Sequence, residues 1–263
     1  EHELQAMRTA ADITAEAHRK AMTVAEPGMH EYEVEAEYLH EFIRHGSRGF
    51  AYEPIVASGA NNNVLHYLDN DRVCGDGDLL LLDVGAEYAN YNADLTRTIP
   101  VNGRFTDRQR AVYESVLRIH EVCIRELVVP GKKIRETYQR EAARLMEDEL
   151  IALGLLEKAT VMKERDEDVP ELERAYRKYF MHGVSHSLGL DVHDVTPTEG
   201  VFVENMCVTV EPGIYIPEEG FGIRLENNII VRSEGNLDLM ADIPIQPDDI
   251  EDWMARPHSP YVS

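Results

Sequence analysis

LLLLDVGAEYANYNADLTRT, residues 79–98, holds the pattern on which the fold turns. Four leucines, Leu79 to Leu82, run into Asp83; a segment rich in Tyr and Asn follows, and Asp94 opens a second β-prone run, DLTRTIPV. Short apolar runs bounded by Gly, Asn and Asp read as strands, and EYANYNA between them reads as a hairpin. A hairpin with an odd offset can return Asp94, eleven residues on, beside Asp83. Either acid alone would pass as a turn residue or a helix cap. Set against apolar strands, however, an ionised carboxylate is costly without a cation or hydrogen-bond partners.

Upstream the period changes. Leu4, Met7, Ala11, Ala15, His18 and Met22 recur at helical spacing, which predicts a helix over about 3–23 that stops at Pro27-Gly28. Val34, Tyr38, Leu39 and Phe42 mark a second helix ending before Gly46, and PIVASG then reads as a strand. Downstream the order returns. Thr106 and Gln109 have capping-box spacing, and apolar residues from Val112 to Leu127 continue a helix up to Pro130-Gly131. Another helix is expected over about 134–153. The charged segment KERDEDVPELERAYRK reads as surface loop and short helix, and strand-like runs resume in NMCVTVEPGIYI and GIRLENNIIV. Two helices followed by strands, met twice, suggest two half-domains with a site between them, although no residue-level repeat is visible.

Composition excludes some functions. The 263 residues suffice for one large domain, and 43% hydrophobic content fills an ordinary core. Lys plus Arg is 26 against 49 Asp plus Glu, a net charge of −23, the opposite of a nucleic-acid-binding footprint. Most of that acidity is a solvated surface. Cys74, Cys123 and Cys207 are isolated and odd in number, which points to buried thiols in a reducing compartment, with cytoplasm the default. No apolar stretch approaches the ~20 residues of a membrane span, and EHELQAMRTAAD has no signal-peptide pattern. The chain lacks an initiator Met, so it is expected to be trimmed or a fragment.

The remaining chemistry-bearing residues sit in three runs. MHGVSHSLGLDVHD carries His182, His186 and His193 among glycines that permit close backbone approach, and His186 is the best ligand candidate. One histidine would be read as structural; three so close favour a site, with a cluster that holds no metal as the alternative. Glu211 in TVEPGIYI and Glu226 in IRLENNIIV lie inside strand-like apolar runs, among Val210, Ile214, Leu225 and Ile229. Either might face solvent alone. Four carboxylates gathered together raise one another's pKa values, whereas two divalent cations cancel four negative charges. Oxygen donors with one imidazole suit Mn(II), with Co(II), Zn(II) or Fe(II) able to substitute.

Taken together, LLLLDVGAEYANYNADLTRT, HGVSHSLGLDVHD, TVEPGIYI and GIRLENNIIV closely resemble the pita-bread metallopeptidases, which include methionine aminopeptidase, prolidase and aminopeptidase P. The resemblance covers essentially the whole chain. It implies an α+β pita-bread fold: two pseudo-symmetric αβ halves, about 1–103 and 104–263, with a curved antiparallel sheet covered by helices. Asp83 and Asp94 are implied to ligate one metal, His186 and Glu211 the other, with Asp94 and Glu226 bridging the two. SGANNNVLHYLDN, TRTIPVNGRFTDRQRAVYE and PDDIEDWMA look like the aminopeptidase P branch, while prolidase shares the pattern around the histidines. Members of both carry an N-terminal domain ahead of the catalytic one, which this chain is expected to lack.

That resemblance implies cleavage of the Xaa-Pro bond at the N-terminus of peptides whose second residue is proline, with a homo-oligomer left open. Glu211 is implied to relay the nucleophile's proton to the leaving nitrogen. His66 is implied to contact the leaving amide or donate a proton, the alternative being a loop histidine with no role, and His193 to stabilise the developing oxyanion. His182, Tyr215 and Arg224 resemble the walls that receive the proline ring, although strand packing for Tyr215 and ion pairing for Arg224 are competing roles. Thr96 is read as a donor orienting its neighbour Asp94. The rival readings are an Xaa-Pro dipeptidase and a catalytically silent binding module of the same fold.

Overall fold

The computed structural model describes residues 1–256. Helix α1 (His2–Val24) buries a face of small and apolar residues, including Ala10, Ala11, Thr14, Ala17, His18 and Ala21. Their small size brings the helix close to the backbone beyond Asp83, where Ala86 N donates to Thr14 Oγ1 (2.9 Å) and His18 Nε2 meets Val84 O (3.0 Å). Burial drives the His18 pKa down to about 3, so the ring stays neutral; Nε2 donates and Nδ1 accepts from Tyr38 OH. Helix α2 (Glu31–Arg44) begins at a His30–Glu33 capping box and packs on α1.

Strands β1 (Ile55–Ser58), β2 (Leu79–Asp83) and β5 (Thr96–Pro100) form an antiparallel sheet in the order β1-β2-β5. Leu79, Leu80 and Leu82 are wholly buried, as a run apolar on both faces requires. Between β2 and β5 the chain makes the expected hairpin, β3 (Glu87–Tyr88) with β4 (Tyr91–Asn92). Ala89 and Asn90 turn it with φ of 53° and 69°, the pair of positive values that a type I′ turn needs.

The two predicted helices after Gly103 are observed with a modification. Helix α3 (Asp107–Val122) starts at the Thr106–Gln109 capping box but ends in a π-helical turn, Cys123–Leu127, closed by Val128 N to Cys123 O (2.9 Å). A second π-helical turn, Ile134–Tyr138, leads into α4 (Gln139–Ala152). Both wide turns flank the Pro130-Gly131 corner, where the five-residue hydrogen-bond reach replaces bonds that a regular helix would lose. The charged segment forms α5 (Lys158–Asp166) and two short 3-10 turns.

Beyond it, β6 (Cys207–Val210) and β7 (Gly213–Ile216) run antiparallel to β9 (Asn227–Ile230) and β8 (Phe221–Arg224), with β10 (Leu237–Asp238) on the outer edge of β9 and α6 (Pro247–Met254) closing the described chain. Here the structure refines the sequence reading: Glu211 and Glu226 lie at breaks between strands, not within them. Pro212, which has no N–H, interrupts the ladder there. The pairs Val210↔Asn227 and Gly213↔Arg224 share one register across the break, which places Glu211 opposite Glu226.

This ribbon is stitched to β5 by side chains. Arg224 N donates to Thr98 Oγ1 (3.2 Å), Thr98 Oγ1 donates to Arg224 O (3.0 Å), and Glu226 N donates to Thr96 O (3.1 Å). The seam between the two sheets therefore carries Asp83 and Asp94 from one side and Glu211 and Glu226 from the other. Among the described residues, no helix is long and apolar enough to cross a membrane.

Candidate metal centre

A cavity of about 510 Å³ opens at this seam, lined by Asp83, Asp94, His186, Glu211 and Glu226 together with His66, His182, His193 and Arg224. Donor atoms of Asp94, His186 and Glu226 all lie within 4.8 Å of one another. His186 Nε2 is 3.4 Å from Asp94 Oδ2 and 3.6 Å from Glu211 Oε1. Its Nδ1 lies 3.0 Å from Ser187 O, an anchor that turns Nε2 toward the carboxylates.

The acids are held from behind. Asp83 Oδ2 accepts from Arg224 Nη2 at 2.5 Å, and Glu226 Oε2 accepts from Thr96 Oγ1 at 2.7 Å. The structure thus turns the Thr96 hydroxyl to Glu226, whereas the sequence reading gave it to Asp94. Asp94 is fixed instead by its backbone, whose N donates to Asn228 Oδ1 (3.0 Å) and whose O accepts from Asn228 Nδ2. Tyr52 OH lies 2.7 Å from both Asp83 Oδ1 and Asp94 Oδ1 and joins the two arms of the hairpin. Gly85 permits this closure, since a Cβ there would strike Ala93 O.

Electrostatics show a site short of positive charge. Burial, then the charges of Asp94 and Glu211, pushes the Glu226 carboxyl well above the usual range. Burial likewise raises Asp83, against the pull of Arg224. Glu211 is driven by burial to about 7, with Asp94 and Asp83 adding to the shift and His186 and Arg224 opposing it. Burial opposes protonation of His186, yet the Asp94 hydrogen bond and the Glu211 charge prevail and lift it to about 9. Glu226 Oε1 is buried without a hydrogen-bond partner. An orphaned carboxylate oxygen among four acids and one imidazole fits divalent cations: the group supplies hard oxygen donors whose charge, once the carboxyls ionise, divalent cations would neutralise.

The other expected residues divide into rim and wall. His66 and His193 are exposed at the cavity, and the His193 ring stands edge-on to His186 with centroids 4.4 Å apart. Burial and the nearby His186 charge lower the His193 pKa. His182 is neutral, its pKa driven to about 3 by burial and Arg224, and its Nε2 is 2.8 Å from Tyr215 OH. Tyr215 OH also accepts from Arg224 Nη1 (2.8 Å). Tyr215 is fully buried and lies outside the cavity lining, so it reaches the site through His182 and Arg224. Tyr52 and Asn228 were missed from sequence. Asn228 stands two residues after Glu226 and was open to discovery, whereas Tyr52 lies in an unpatterned loop with no signal.

Antiparallel strands under helices, with a carboxylate-lined seam at their junction, define the pita-bread class of α+β folds. The chain belongs to Metallopeptidase family M24, whose model matches residues 5–233. It is 43% identical to the Xaa-Pro aminopeptidase of Haemophilus influenzae, over 96% of this chain and 60% of that protein. With the Escherichia coli Xaa-Pro aminopeptidase it is 44% identical, over 96% and 58%. Among solved structures, aminopeptidase P II from Yersinia pestis superposes with a TM-score of 0.88 at 44% identity, covering 97% of this chain and 59% of that one. A zinc-substituted E. coli aminopeptidase P in complex with product gives 0.88 at 42%, covering 97% and 59%. The chain spans about three fifths of the length of these curated relatives.

Proposed function

We propose that the chain hydrolyses the Xaa-Pro bond at the N-terminus of peptides, with Asp83, Asp94, His186, Glu211 and Glu226 holding two divalent metal ions, manganese by preference. The observation that carries this reading is the meeting of donor atoms from Asp94, His186 and Glu226 within 4.8 Å of one another, in one cavity with Asp83 and Glu211 and with Glu226 Oε1 unpartnered, in a chain more than two fifths identical to Xaa-Pro aminopeptidases. Bound there, such ions supply Lewis acidity, which lowers the pKa of water and polarises a carbonyl.

The protein's own groups do the rest. Glu211 takes the proton from the attacking water and passes it to the proline nitrogen; that nitrogen has no hydrogen in the peptide bond and needs a proton to leave. His193, at the rim beside His186, donates to the oxygen that gains charge in the transition state. His66 contacts the amide of the leaving proline. His182, held by Tyr215 and Arg224, forms a neutral wall for the proline ring, and Arg224 holds Asp83 at the same time. Free and buried Cys74, Cys123 and Cys207 support a cytoplasmic setting.

The test is turnover by metal-reconstituted protein on Xaa-Pro-Xaa peptides, with Xaa-Pro dipeptides and Xaa-Ala-Xaa controls. Release of the first residue from the proline tripeptides is expected. Cleavage of dipeptides alone would move the reading to a dipeptidase, and no cleavage with any divalent metal would overturn it.

A further inference from the structure

Glu31, in the first turn of α2, is a wholly buried carboxylate far along the chain from the carboxylates of the metal centre. Both of its oxygens are saturated by one segment. Oε1 accepts from Ser58 N (2.6 Å) and Asn61 Nδ2 (3.4 Å); Oε2 accepts from Tyr67 OH (2.7 Å) and Arg72 N (2.9 Å). The backbone of Glu31 adds a bond from its N to Arg72 O (2.9 Å). One side chain therefore clasps both ends and the middle of residues 58–72, the loop that carries His66.

The loop's alternation makes this clasp relevant to chemistry. Tyr67 turns inward to Glu31, while its neighbours His66 and Leu68 are exposed and line the metal-centre cavity with Leu65. Asn62 and Asn70 tie the loop to Leu79, Gly222, Pro54 and Val56, so it is anchored away from His66 as well. The side-chain bonds nearest His66 in sequence are nevertheless those of the Tyr67 hydroxyl, to Glu31 Oε2 at 2.7 Å and, more weakly, to Asp71 Oδ1 at 3.4 Å. A carboxylate offers four acceptor sites and no donor, which matches four converging donors; a carboxamide would set an N–H against two of them.

We propose that Glu31 is a positioning residue for hydrolysis: it acts through the 58–72 loop to hold His66 over the reacting amide. This inference rests on the proposed function and on the role of His66 within it. A positioning residue acting through His66 loses its influence once His66 is removed, whereas a purely structural one does not.

The experiment measures kcat and KM on an Xaa-Pro-Xaa peptide for the metal-loaded full chain, for Glu31→Gln, Tyr67→Phe and His66→Ala, and for each of the first two combined with His66→Ala. Glu31→Gln is expected to lower kcat about tenfold, short of the roughly 10²-fold or larger loss that removing an acid–base group itself causes, with KM and bound metal little changed. On the His66→Ala background the same change should alter kcat by less than about twofold. Hydrogen exchange at the Ser58 and Arg72 amides should accelerate in Glu31→Gln, independently of activity. Tyr67→Phe removes one donor and keeps the carboxylate, so it serves if Glu31→Gln does not fold; a drop in kcat of about threefold is expected. Unchanged kcat in both variants, or an undiminished loss on the His66→Ala background, overturns the inference while the proposed function stands. A wild type that cleaves nothing sinks the proposed function, and this inference with it.

Discussion

Glu211 and Glu226 stand opposite each other across one antiparallel ribbon, at the point where its ladder is interrupted. Like charges in directly opposed strand positions destabilise a sheet. Here Glu226 is buried and Glu211 nearly so, both at the wall of the same cavity. The pairing is tenable when the carboxyls are protonated or when a cation lies between them, and the raised pKa values of both describe the first condition.

Removal of a donor tests the centre itself. Asp94→Ala is expected to reduce turnover by about 10³-fold or more, because the proposed site uses Asp94 as a donor to both metals and its loss also unbalances the remaining charge. Metal content after dialysis, measured by mass spectrometry, should fall in parallel. Full metal content with near-normal turnover would refute the site.

Tyr52→Phe removes a hydroxyl that lies 2.7 Å from both Asp83 and Asp94 and leaves the ring in place. Partners that orient metal-binding side chains are commonly worth 10–100-fold in affinity, so metal binding by this variant is expected to weaken by roughly tenfold or more. Titration calorimetry of metal-free protein reads this directly, without reference to catalysis.

Metal-induced stabilisation should depend on pH with a definite sign. Glu211 is raised from 4.5 to about 7 in the metal-free protein, so its contribution to stability is present below about 4.5 and is lost as pH rises through 7. His186, raised to about 9, contributes stability below about 6.5 that is lost as pH rises through 9, and it must lose its proton to offer Nε2 to a metal. Both effects make added metal more stabilising as pH rises from 5.5 to 8. The gain in Tm on adding Mn(II), measured across that range, should increase; a flat profile would contradict the charge state assigned to the site.

Gly85→Ala sets a methyl group against Ala93 O, a backbone atom that cannot swing away. A loss of about 1–3 kcal/mol in stability is expected, typical of overpacking. Metal affinity should fall with it, because the same contact sets the spacing of the arms that carry Asp83 and Asp94. Denaturant unfolding of the metal-free variant, paired with metal titration, separates the two effects.

What the sequence by itself determined were the local features. Helical spacing located α1 and α2, the Thr106–Gln109 box started α3, and the Tyr- and Asn-rich segment after Asp83 made the β3–β4 hairpin. These follow from side-chain periodicity and turn chemistry within a few residues. The four carboxylate candidates were also legible, as charges set against apolar runs, and His186 through the cluster of histidines around it. The tertiary structure alone decided which groups meet: the register that opposes Glu211 to Glu226, the Thr96 hydroxyl on Glu226 130 positions away, Tyr52 between two aspartates, and Tyr215 behind the cavity instead of in it. Such contacts depend on how separate elements dock. Hydrogen bonds between residues so distant in the chain leave no period in the sequence, and a loop residue such as Tyr52 acquires its partners only when the strands around it have closed.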